Sequence, residues 1–494
     1  MKDESFGHDV FLSPFTWRYG SQEMKRTFSD KERRANWRKV WLALAQSQFD
    51  AGLLSRSELE GIRAKSGGEN VDIARAHKLE KKIKHDLMAE LRTFADQAKA
   101  GGGKLHLGAT SMDIEDNADI ISFISASNLI LSRLVACLES ARERIIKHKG
   151  TVCMAWTHLQ PAEPTTMGYR FANYAQDLVM DIRLLETVRT HFLLGKGIKG
   201  AVGTSASFKA LLGTDAAVEK MEGSVMATLG LGSFDVSTQT YPRKVDYILL
   251  ACLASIAQSC HKFGLDLRIL QSPPFGEMSE PIDEFQVGSS AMPFKKNPVA
   301  AERMCSLARF VSTLPLVAFS NAANSVLERT LDDSAARRIA IPEAFLAVDE
   351  CLMIYERLLK GLRVYPAMIS KNLERYGPFA GTEAVMMKLV EKGGDRQKIH
   401  ELIRVQSFKA WAEVMEGKPN PLPKLLAGQR AISSKLTNAE VSDLLDSSRH
   451  IGDARKRCDD FVKGTIDPIL TEHRRGRAKR KAERSLANGS ASRR

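Results

Sequence analysis

The amino-acid sequence predicts an all-α protein whose central part is a bundle of long helices. Apolar residues recur at separations of three, four and seven over several stretches of about 25 to 35 residues, well beyond the usual helix length. No convincing alternation of apolar and polar residues lies between these stretches, so no strand is predicted. Of the 494 residues, 44% are hydrophobic and 27% are charged, which excludes collagen-like, disulfide-scaffold and largely disordered chains.

Residues 1–110 are predicted to form an N-terminal domain of short helices joined by polar loops. The stretch 31–50 is helical, with Trp37, Trp41 and Leu44 on one face. A second helix is predicted over 76–99 and ends at the three glycines 101–103. No Gly-Lys-Ser/Thr follows these glycines, so they are not interpreted as a phosphate-binding loop.

The central domain, 111–363, contains five long amphipathic segments. Three strong patterns run from Ile114 to Ile145, from Phe171 to Phe192 and from Val245 to Leu270, and two weaker ones cover about 299–328 and 343–362. Residues 364–472 return to shorter helices with frequent Pro and Gly, which predicts a C-terminal helical domain. The sequence contains no repeat of fixed period, which argues against a solenoid.

The formal net charge of +13 is concentrated in a basic C-terminal tail. Residues 473–494 hold nine Lys and Arg against a single acid, Glu483. We interpret this tail as a disordered, solvated terminus. Binding to nucleic acid or acidic lipid stays an alternative, although the tail has no aromatic residue to stack on a base.

The seven cysteines are odd in number and form no CxxC pair, so we expect free thiols in a reducing compartment. The longest stretch without charge, between Arg309 and Glu328, contains Pro315, two asparagines and several serines, and is too polar for a membrane span. The N-terminus has no apolar signal region. These observations predict a cytoplasmic protein with no membrane partner.

Four polar segments interrupt the helical pattern: HLGATSMD at 106–113, WTHLQPAEPTT at 156–166, VGSSAMPFKKNP at 287–298 and ERTLDDSAARR at 328–338. The third segment begins with glycine and serines, which are small and allow the backbone to move, and it continues with two lysines and an asparagine before a helix start. This composition suits an anion-binding loop that closes over its ligand. Composition alone favours the alternative, a generic turn with solvated lysines.

These segments together resemble one known family. GSSxMPxKxNP is the signature of the fumarase/aspartase superfamily, and the other segments resemble those of its adenylosuccinate lyase family, as does SPFTWRYGSQEM near the N-terminus. The resemblance covers about residues 12–470 and is strongest to the animal-type enzymes. It implies a three-domain fold with a central five-helix bundle, a twenty-helix homotetramer with active sites shared between subunits, nucleotide substrates, and no metal or organic cofactor.

The resemblance also implies an anti elimination that releases fumarate from adenylosuccinate and from SAICAR, with four catalytic residues. Ser289 matches the base that removes a proton beside a carboxylate, and His158 matches the acid that protonates the leaving nitrogen. Lys295 is expected to offset charge on the aci-carboxylate intermediate. His85 matches a histidine near the phosphate and the catalytic acid. In the loop, Ser290 is the better candidate than Ser289 for a structural N-cap.

The resemblance further implies a set of substrate-binding residues. Lys84 stands where the family usually has arginine, so its contact loses the bidentate fork. Thr110 and Ser111 match a succinyl-binding pair, and Thr110-x-x-Asp113 also reads as a capping box. Asp86 is expected to orient an imidazole. The remaining matches are Arg18, Tyr19, Gln239, Asn297, Arg303, Arg329, Ser334 and Arg338.

Two other functions stay open from the sequence. Another fumarate-releasing lyase of the superfamily would share the fold and loop, but segment 328–338 and Tyr19 argue against it. A non-enzymatic scaffold of the same fold is the second, with or without nucleic-acid binding through the tail. The presence of all four predicted catalytic residues argues against that scaffold.

Overall fold

A computed structural model of the chain describes residue 7, residues 9–282, residue 285 and residues 288–476. Helix accounts for 71% of the structure and strand for 4%, which confirms the all-α class. Most of the predicted basic tail, 477–494, and Val287 of the loop motif lie outside the described residues. Residues 473–476 are helical, and Arg474 pairs with Glu139, so the predicted disordered tail does not begin at 473.

The N-terminal region consists of short helices around a tryptophan-rich core. The helices are α1 (Pro14–Trp17), α2 (Gln22–Thr27), α3 (Asp30–Asp50), α4 (Arg56–Lys65), α5 (Ile73–Ile83) and α6 (Asp86–Ala98), with 3₁₀ turns at Gly68–Asn70 and Lys99–Lys104. The Ser29 side chain caps α3 by accepting the Glu32 N–H. Trp37 and Trp41, predicted to share a face, are both buried in the core of this region.

The single helix predicted over 76–99 is wrong, because the structure divides it between α5 and α6. Lys84 ends α5 in the left-handed conformation, with φ of 57°, and His85 then caps α6. A lysine rarely adopts this conformation, and no Gly or Pro marks the break in the sequence. Two predicted site residues therefore occupy a sharp turn between helices.

Five long helices follow, as predicted. They are α7 (Ser111–His148), α8 (Met167–His191), α11 (Lys244–Gln271), α12 (Val299–Ala323) and α13 (Asp333–Gly361), with the shorter α9 (Ala206–Leu212) and α10 (Asp215–Leu229) inserted before α11. The predicted bounds of the last two need correction: α12 ends five residues before 328, and α13 begins ten residues before 343. Pro342 lies inside α13, so the helix continues through a residue that normally marks a helix start or break.

Aromatic contacts show how three of the long helices pack together. Phe263 of α11 stacks on Tyr355 of α13 at 4.3 Å between ring centroids, and Tyr174 of α8 meets Phe263 edge-on at 5.3 Å. The Tyr174 hydroxyl donates a hydrogen bond to Asp266 at 2.8 Å. Apolar rings at helical spacing thus serve as bundle core, as the periodicity indicated.

A β-hairpin between α7 and α8 contradicts the prediction that no strand is present. Its strands β1 (Val152–Thr157) and β2 (Gln160–Thr166) are antiparallel, with a bulge between Met154 and Trp156. The sequence hides it because β2 carries Pro161 and Pro164, which strands normally exclude. A second, two-residue ladder joins β3 (Met278–Ser279) to β4 (Arg363–Val364).

The C-terminal region is again made of shorter helices. They are α14 (Pro366–Ala380), α15 (Thr382–Glu391), α16 (Arg396–Met415), α17 (Leu422–Ala427), α18 (Arg430–Ser433), α19 (Asn438–Leu444) and α20 (Ala454–Phe461), with a 3₁₀ turn at Ser447–Arg449 and a π turn at Val462–Ile466. A separate apolar core, including Val385, Leu389, Leu422 and Leu426, holds them together.

The chain forms two compact units, each assembled from three separated stretches. Unit 1 comprises Met1–Leu134, Asp181–His261 and Ser306–Met353, and unit 2 comprises Val135–Met180, Lys262–Cys305 and Ile354–Arg494. The predicted domain boundaries near 111 and 364 coincide with the start of α7 and with β4. The three-domain division stays a prediction.

All seven cysteines are buried, and none is joined to another in a disulfide bond among the described residues. By length and hydropathy alone, α7 and α11 would reach across a bilayer, which the sequence reasoning did not foresee. About half of the most apolar window of each, 50% and 56%, is buried inside the protein. Core helices pass the same test, so this is weak evidence for a membrane span.

Candidate active site

The start of α7 is organised by one buried carboxylate. Asp113 accepts hydrogen bonds from the N–H groups of Thr110 (2.9 Å), Lys199 (3.0 Å) and Gly200 (3.1 Å), and it pairs with the buried ammonium of Lys196. The bond to Thr110 is one of the two that the predicted capping box contains. These bonds hold Thr110 and Ser111 in place at the helix N-terminus, where exposed N–H groups attract anions.

The predicted residues Asp86 and Arg338 meet as an ion pair in unit 1. The Arg338 guanidinium lies 2.5 Å from the Asp86 carboxylate, which also accepts the Leu87 N–H at 2.8 Å. Burial alone would raise the pKa of Asp86, but Arg338 and the Leu87 N–H outweigh it and lower the pKa. In this chain Asp86 is paired with arginine, and its oxygen lies 3.8 Å from His85 Nδ1, beyond hydrogen-bond distance, so its role in orienting an imidazole stays a prediction.

His85 and Lys84 are both exposed at the turn before α6. His85 Nδ1 accepts the Met88 N–H at 3.4 Å, so Nδ1 is unprotonated in this arrangement and Nε2 is left to face solvent or a ligand. The Lys84 N–H closes the end of α5 on the Glu80 carbonyl at 2.7 Å. The Lys84 side chain lacks the two parallel N–H donors of arginine, and the role that the structure shows for this residue is to form the turn.

A network of buried ion pairs fixes segment 328–338. Arg243 donates to Asp116 at 3.0 Å and to Asp333 at 2.7 Å, and Arg329 reaches the other oxygen of Asp333 at 3.1 Å. Arg337 donates to Asp246 at 2.7 Å. Buried charges of this kind are held rigidly because separating any pair leaves an uncompensated charge.

The network opens onto a cavity of about 260 Å³ in unit 1 that brings together three predicted substrate-binding residues, Arg329, Ser334 and Arg338. Gln239 is connected to the same segment, because its N–H donates to the Glu328 carbonyl at 3.3 Å. The other charged and polar residues of the lining are Thr27, Asp30, Arg33, Glu115, Asp119, Ser122 and Arg337. Four arginines around one cavity are suited to an oxyanion ligand.

The residues that follow Arg18 and Tyr19 in the chain are bonded to α13. The Gly20 N–H donates to Glu350 at 3.0 Å and the Ser21 N–H to Asp349 at 2.7 Å. Those acceptors lie about 16 to 18 Å along the helix from Arg338, at 1.5 Å per residue. Ser13 Oγ of the same segment donates to Glu343 at 2.9 Å, about 8 Å along the helix from Arg338. Within one chain, this segment is therefore tied to α13 between Glu343 and Glu350.

In unit 2, His158 occupies the tip of the β-hairpin. His158 and Leu159 both have left-handed backbone, with φ of 55° and 58°, as a two-residue type I′ turn requires. Such a turn normally takes Asn and Gly, so these two residues carry conformational strain. The His158 side chain is exposed at the tip, where it is free to meet a ligand or another chain.

The part of the hairpin next to its turn is held by the buried Glu277. Its carboxylate accepts from Arg170 at 2.8 Å, from Asn372 at 3.1 Å and from the Trp156 indole at 3.4 Å. The Trp156 ring also packs edge-on against Phe275 at 4.8 Å. The strained tip is therefore attached to a fixed residue, Trp156, two positions before His158.

The loop that carries Ser289 also lies in unit 2. Ser289 Oγ accepts the N–H groups of Met292 (3.1 Å) and Ala291 (3.4 Å), so Ser289, not Ser290, has the capping role, and that prediction is wrong. Asn297 closes the loop by donating to the Gly288 carbonyl at 3.0 Å. A side chain at Gly288 would lie 2.2 Å from the Lys295 carbonyl, so this close approach requires glycine.

The helix behind this loop is capped from a distance. The buried Glu280 carboxylate accepts the N–H groups of Ala300 (3.2 Å) and Ala301 (3.1 Å) at the start of α12. Lys295 is exposed on the loop, and Arg303 is half-buried one turn into α12. Both cations follow Ser289 in the chain. Among the described residues, neither is bonded to Ser289 Oγ.

The structure gathers the predicted residues into two groups. Unit 1 holds Arg18, Tyr19, Lys84, His85, Asp86, Thr110, Ser111, Gln239, Arg329, Ser334 and Arg338, and unit 2 holds His158, Ser289, Lys295, Asn297 and Arg303. Sequence reasoning missed three residues near the first group: Asp113 as an organising carboxylate, and Arg33 and Glu115 in the cavity lining. The four-residue spacing of Ser111, Glu115 and Asp119 was the available signal, since it places them on one helix face.

Among the described residues, no group of three or more His, Cys, Asp or Glu side chains is placed to hold a metal ion. The predicted site residues include cations, hydroxyls and imidazoles instead. Such an arrangement binds oxyanions and exchanges protons.

Comparisons with known proteins connect this geometry to a family. Residues 40–312 match the family described as Lyase, and residues 378–461 match the family described as Adenylosuccinate lyase C-terminus. Adenylosuccinate lyase of Schistosoma mansoni is 38% identical over 470 residues, covering 94% of this chain and 97% of the relative. That of Saccharomyces cerevisiae is also 38% identical, covering 94% and 96%.

Solved structures share the fold at lower identity. A fumarate lyase from Mesorhizobium sp. BNC1 superposes with a TM-score of 0.80 at 24% identity, covering 92% of this chain and 100% of that one. A 3-carboxy-cis,cis-muconate lactonizing enzyme from Pseudomonas putida gives 0.79 at 23% identity, with 94% and 99% covered. Matches over nearly the whole length, together with the cavity and loop described above, show that the chain belongs to the adenylosuccinate lyase family.

Proposed function

We propose that the protein is a C–N lyase that eliminates fumarate from adenylosuccinate to give AMP. The observation that carries the proposal is the cavity of unit 1, in which Arg329, Ser334 and Arg338 meet beside His85 and Asp86. A nucleotide with one phosphate and two carboxylates needs several fixed cations, and arginine binds such groups through paired hydrogen bonds. SAICAR carries the same succinyl group, and we propose it as a second substrate that yields AICAR.

The phosphate is proposed to bind at Arg338 and Arg329. Arg338 can still bind a ligand, because only part of its guanidinium is paired with Asp86 and its side chain is exposed. Arg329 likewise has guanidinium N–H groups that are not used in its bond to Asp333. A bound phosphate would therefore add bonds to these arginines without dismantling the network that holds them.

Ser289 is proposed to remove the proton from the carbon beside a succinyl carboxylate. The two N–H groups that donate to its Oγ favour the negatively charged oxygen, since they stabilise that charge without a counter-ion. The electron pair of the C–H bond then forms the new C=C bond, and the C–N bond breaks. His158 gives its proton to the departing nitrogen, a role that suits an imidazole because it titrates near neutrality.

Four more residues are proposed to hold the succinyl group. Lys295 would offset the second negative charge that develops on the carboxylate as the proton leaves. Thr110 and Ser111 present hydroxyls and a helix N-terminus fixed by Asp113. Asn297 is bonded within its loop, so it is proposed to act by shaping the loop around the carboxylate.

The two groups of residues are proposed to meet between subunits of a homotetramer. The long helices expose large apolar side chains that a lone chain leaves in water. Met180 of α8 is 60% exposed, and Leu316 and Phe319 of α12 are 69% and 56% exposed. Burial of these rows in helix–helix contacts between copies would place His158 and the Ser289 loop of one copy at the cavity of another. We propose a cytoplasmic location for this assembly.

The test is to incubate the purified full chain with adenylosuccinate and to quantify fumarate and AMP. Equimolar products from the native protein support the proposed reaction. Ser289→Ala is expected to lower kcat by about 10²- to 10⁴-fold, the usual contribution of general acid–base catalysis. Native mass spectrometry of both proteins gives the oligomeric state.

The matched control is Ser290→Ala, one residue along the same loop, which should leave kcat nearly unchanged. Products from Ser289→Ala at the native rate would overturn the assignment of the base. No product from a native tetramer would overturn the reaction itself and favour a different succinyl substrate or a non-enzymatic scaffold. A fully active monomer would overturn the shared active site.

A further inference from the structure

The cavity of unit 1 contains a carboxyl group that the assignments above leave unused. Glu115 lies on α7 one turn after Ser111 and one turn before Asp119, and it belongs to the cavity lining. Asp119 is neutralised by Arg337 at 3.1 Å. Among the described residues, no hydrogen bond or ion pair reaches the Glu115 carboxyl group, so its bonding capacity is directed at whatever fills the cavity.

Charged groups face Glu115 from every element around it. They are Asp30 and Arg33 of α3, His85 and Asp86 at the start of α6, Asp119 of α7 itself, and Arg329, Arg337 and Arg338 of segment 328–338. Burial, reinforced by the negative charges of Asp86 and Asp119, raises the pKa of Glu115 to about 8, against the opposing effect of Arg33 and Arg338. At pH 7 the group is therefore mostly a neutral carboxylic acid, which is a hydrogen-bond donor.

We propose that the Glu115 carboxylic acid donates a hydrogen bond to the phosphate of the nucleotide that Arg329, Ser334 and Arg338 bind. This rests on the function proposed above and adds a proton-dependent contact to the same site. An acid that donates to an anionic oxygen forms a short, strong bond, whereas its carboxylate would repel the same oxygen. Glu115 thus makes the affinity for phosphate depend on pH while the arginines stay charged.

The test is to titrate the full-length protein with AMP and with methyl phosphate, two phosphate monoesters, by calorimetry between pH 7 and pH 9. A phosphate monoester has its second pKa near 6, so the ligand itself does not change charge in this range. We expect the Kd to rise about tenfold from pH 7 to pH 9, as one required proton with a pKa of about 8 dictates. Fumarate serves as the comparison ligand, because the proposed contact is to phosphate alone.

Two variants separate this contact from a structural role. Glu115→Gln keeps a donor of the same shape that does not titrate, so its Kd should match the native value at pH 7 and stay constant to pH 9. Glu143→Gln changes an exposed glutamate of the same helix and should keep the native pH dependence. In the native protein, the infrared band of the protonated carboxyl group should shift when methyl phosphate binds and be missing from Glu115→Gln.

Several outcomes would overturn the assignment. These are a native Kd for the phosphate monoesters that does not change with pH, a pH dependence that survives in Glu115→Gln, or a dependence seen with fumarate but not with the phosphate monoesters. The binding measurement needs no turnover. Absence of lyase activity would thus sink the proposed reaction alone, and activity with pH-independent phosphate binding would sink only the role of Glu115.

Discussion

The start of α7 and the loop 288–298 both carry predicted succinyl-binding residues, yet they are held in opposite ways. At the start of α7, the buried Asp113 collects bonds from three backbone N–H groups and a buried lysine of distant loops. The loop is closed by its own residues, through the bonds of Ser289 and Asn297, and Lys295 is exposed. We infer that the first region is preformed for binding, while the second acquires its working geometry when ligand or another subunit closes on it.

The largest effect is expected from removing the carboxylate that organises α7. Asp113→Ala leaves the fully buried Lys196 ammonium without its counter-ion, so the free energy of unfolding should fall by about 3–5 kcal/mol. Urea denaturation followed by circular dichroism measures it. The control is Asp215→Ala, which removes the exposed pair with Lys209 and should cost less than about 1 kcal/mol. Equal losses in the two variants would contradict a rigid, buried start of α7.

A loop residue should show the reverse pattern, with a large effect on rate and little on stability. Lys295→Ala is expected to lower kcat by about 10²- to 10³-fold, because it removes a cation from the developing charge. The free energy of unfolding should change by less than about 0.5 kcal/mol, since the Lys295 side chain is exposed. Lys296→Ala is the matched control: it lies next in the loop, is equally exposed, and should keep most of the native kcat. Similar kcat values for both variants would reject the assignment of Lys295.

The same contrast explains what could be predicted from the sequence. The long helices follow from apolar periodicity, because their cores pack like the stacked Phe263 and Tyr355 wherever the period holds. The motif segments point to most of the site residues. Their roles in local structure were less accessible: Asp86 pairs with an arginine 252 positions away, a partner that spacing along the chain does not reveal.

The failures occur where tertiary contacts override local preference. The break at Lys84 and the turn at His158 both place non-glycine residues at positive φ, with no Gly or Pro to announce the change. The hairpin tolerates two prolines in β2 because both strands of a two-stranded sheet are edge strands, where proline is allowed. Each of these exceptions coincides with a predicted site residue or supports one, which is where strain is expected when function requires it.

The smallest effect is expected in the pH dependence of the protein's stability, which tests the α7 region without any ligand. The pKa of Glu115 is raised to about 8 in the folded protein, above the unfolded value of about 4.3. Between these values the folded state binds more protons than the unfolded state, so stability falls as pH rises from about 4 to about 8. Asp86 has the opposite sign, because its lowered pKa contributes stability that is complete above about pH 5 and lost in acid.

Glu115→Gln should therefore become more stable relative to the native protein as the pH rises. We expect the difference in unfolding free energy between pH 5 and pH 8.5 to change in favour of the variant, by on the order of 1 kcal/mol for a partly exposed group. Urea denaturation of both proteins at the two pH values measures it, and Glu143→Gln should show no such change. A constant difference would mean that solvent already neutralises the cost of the Glu115 charge. The cavity at α7 would then be as open to water as the loop, and the contrast between the two regions would rest on Asp113 alone.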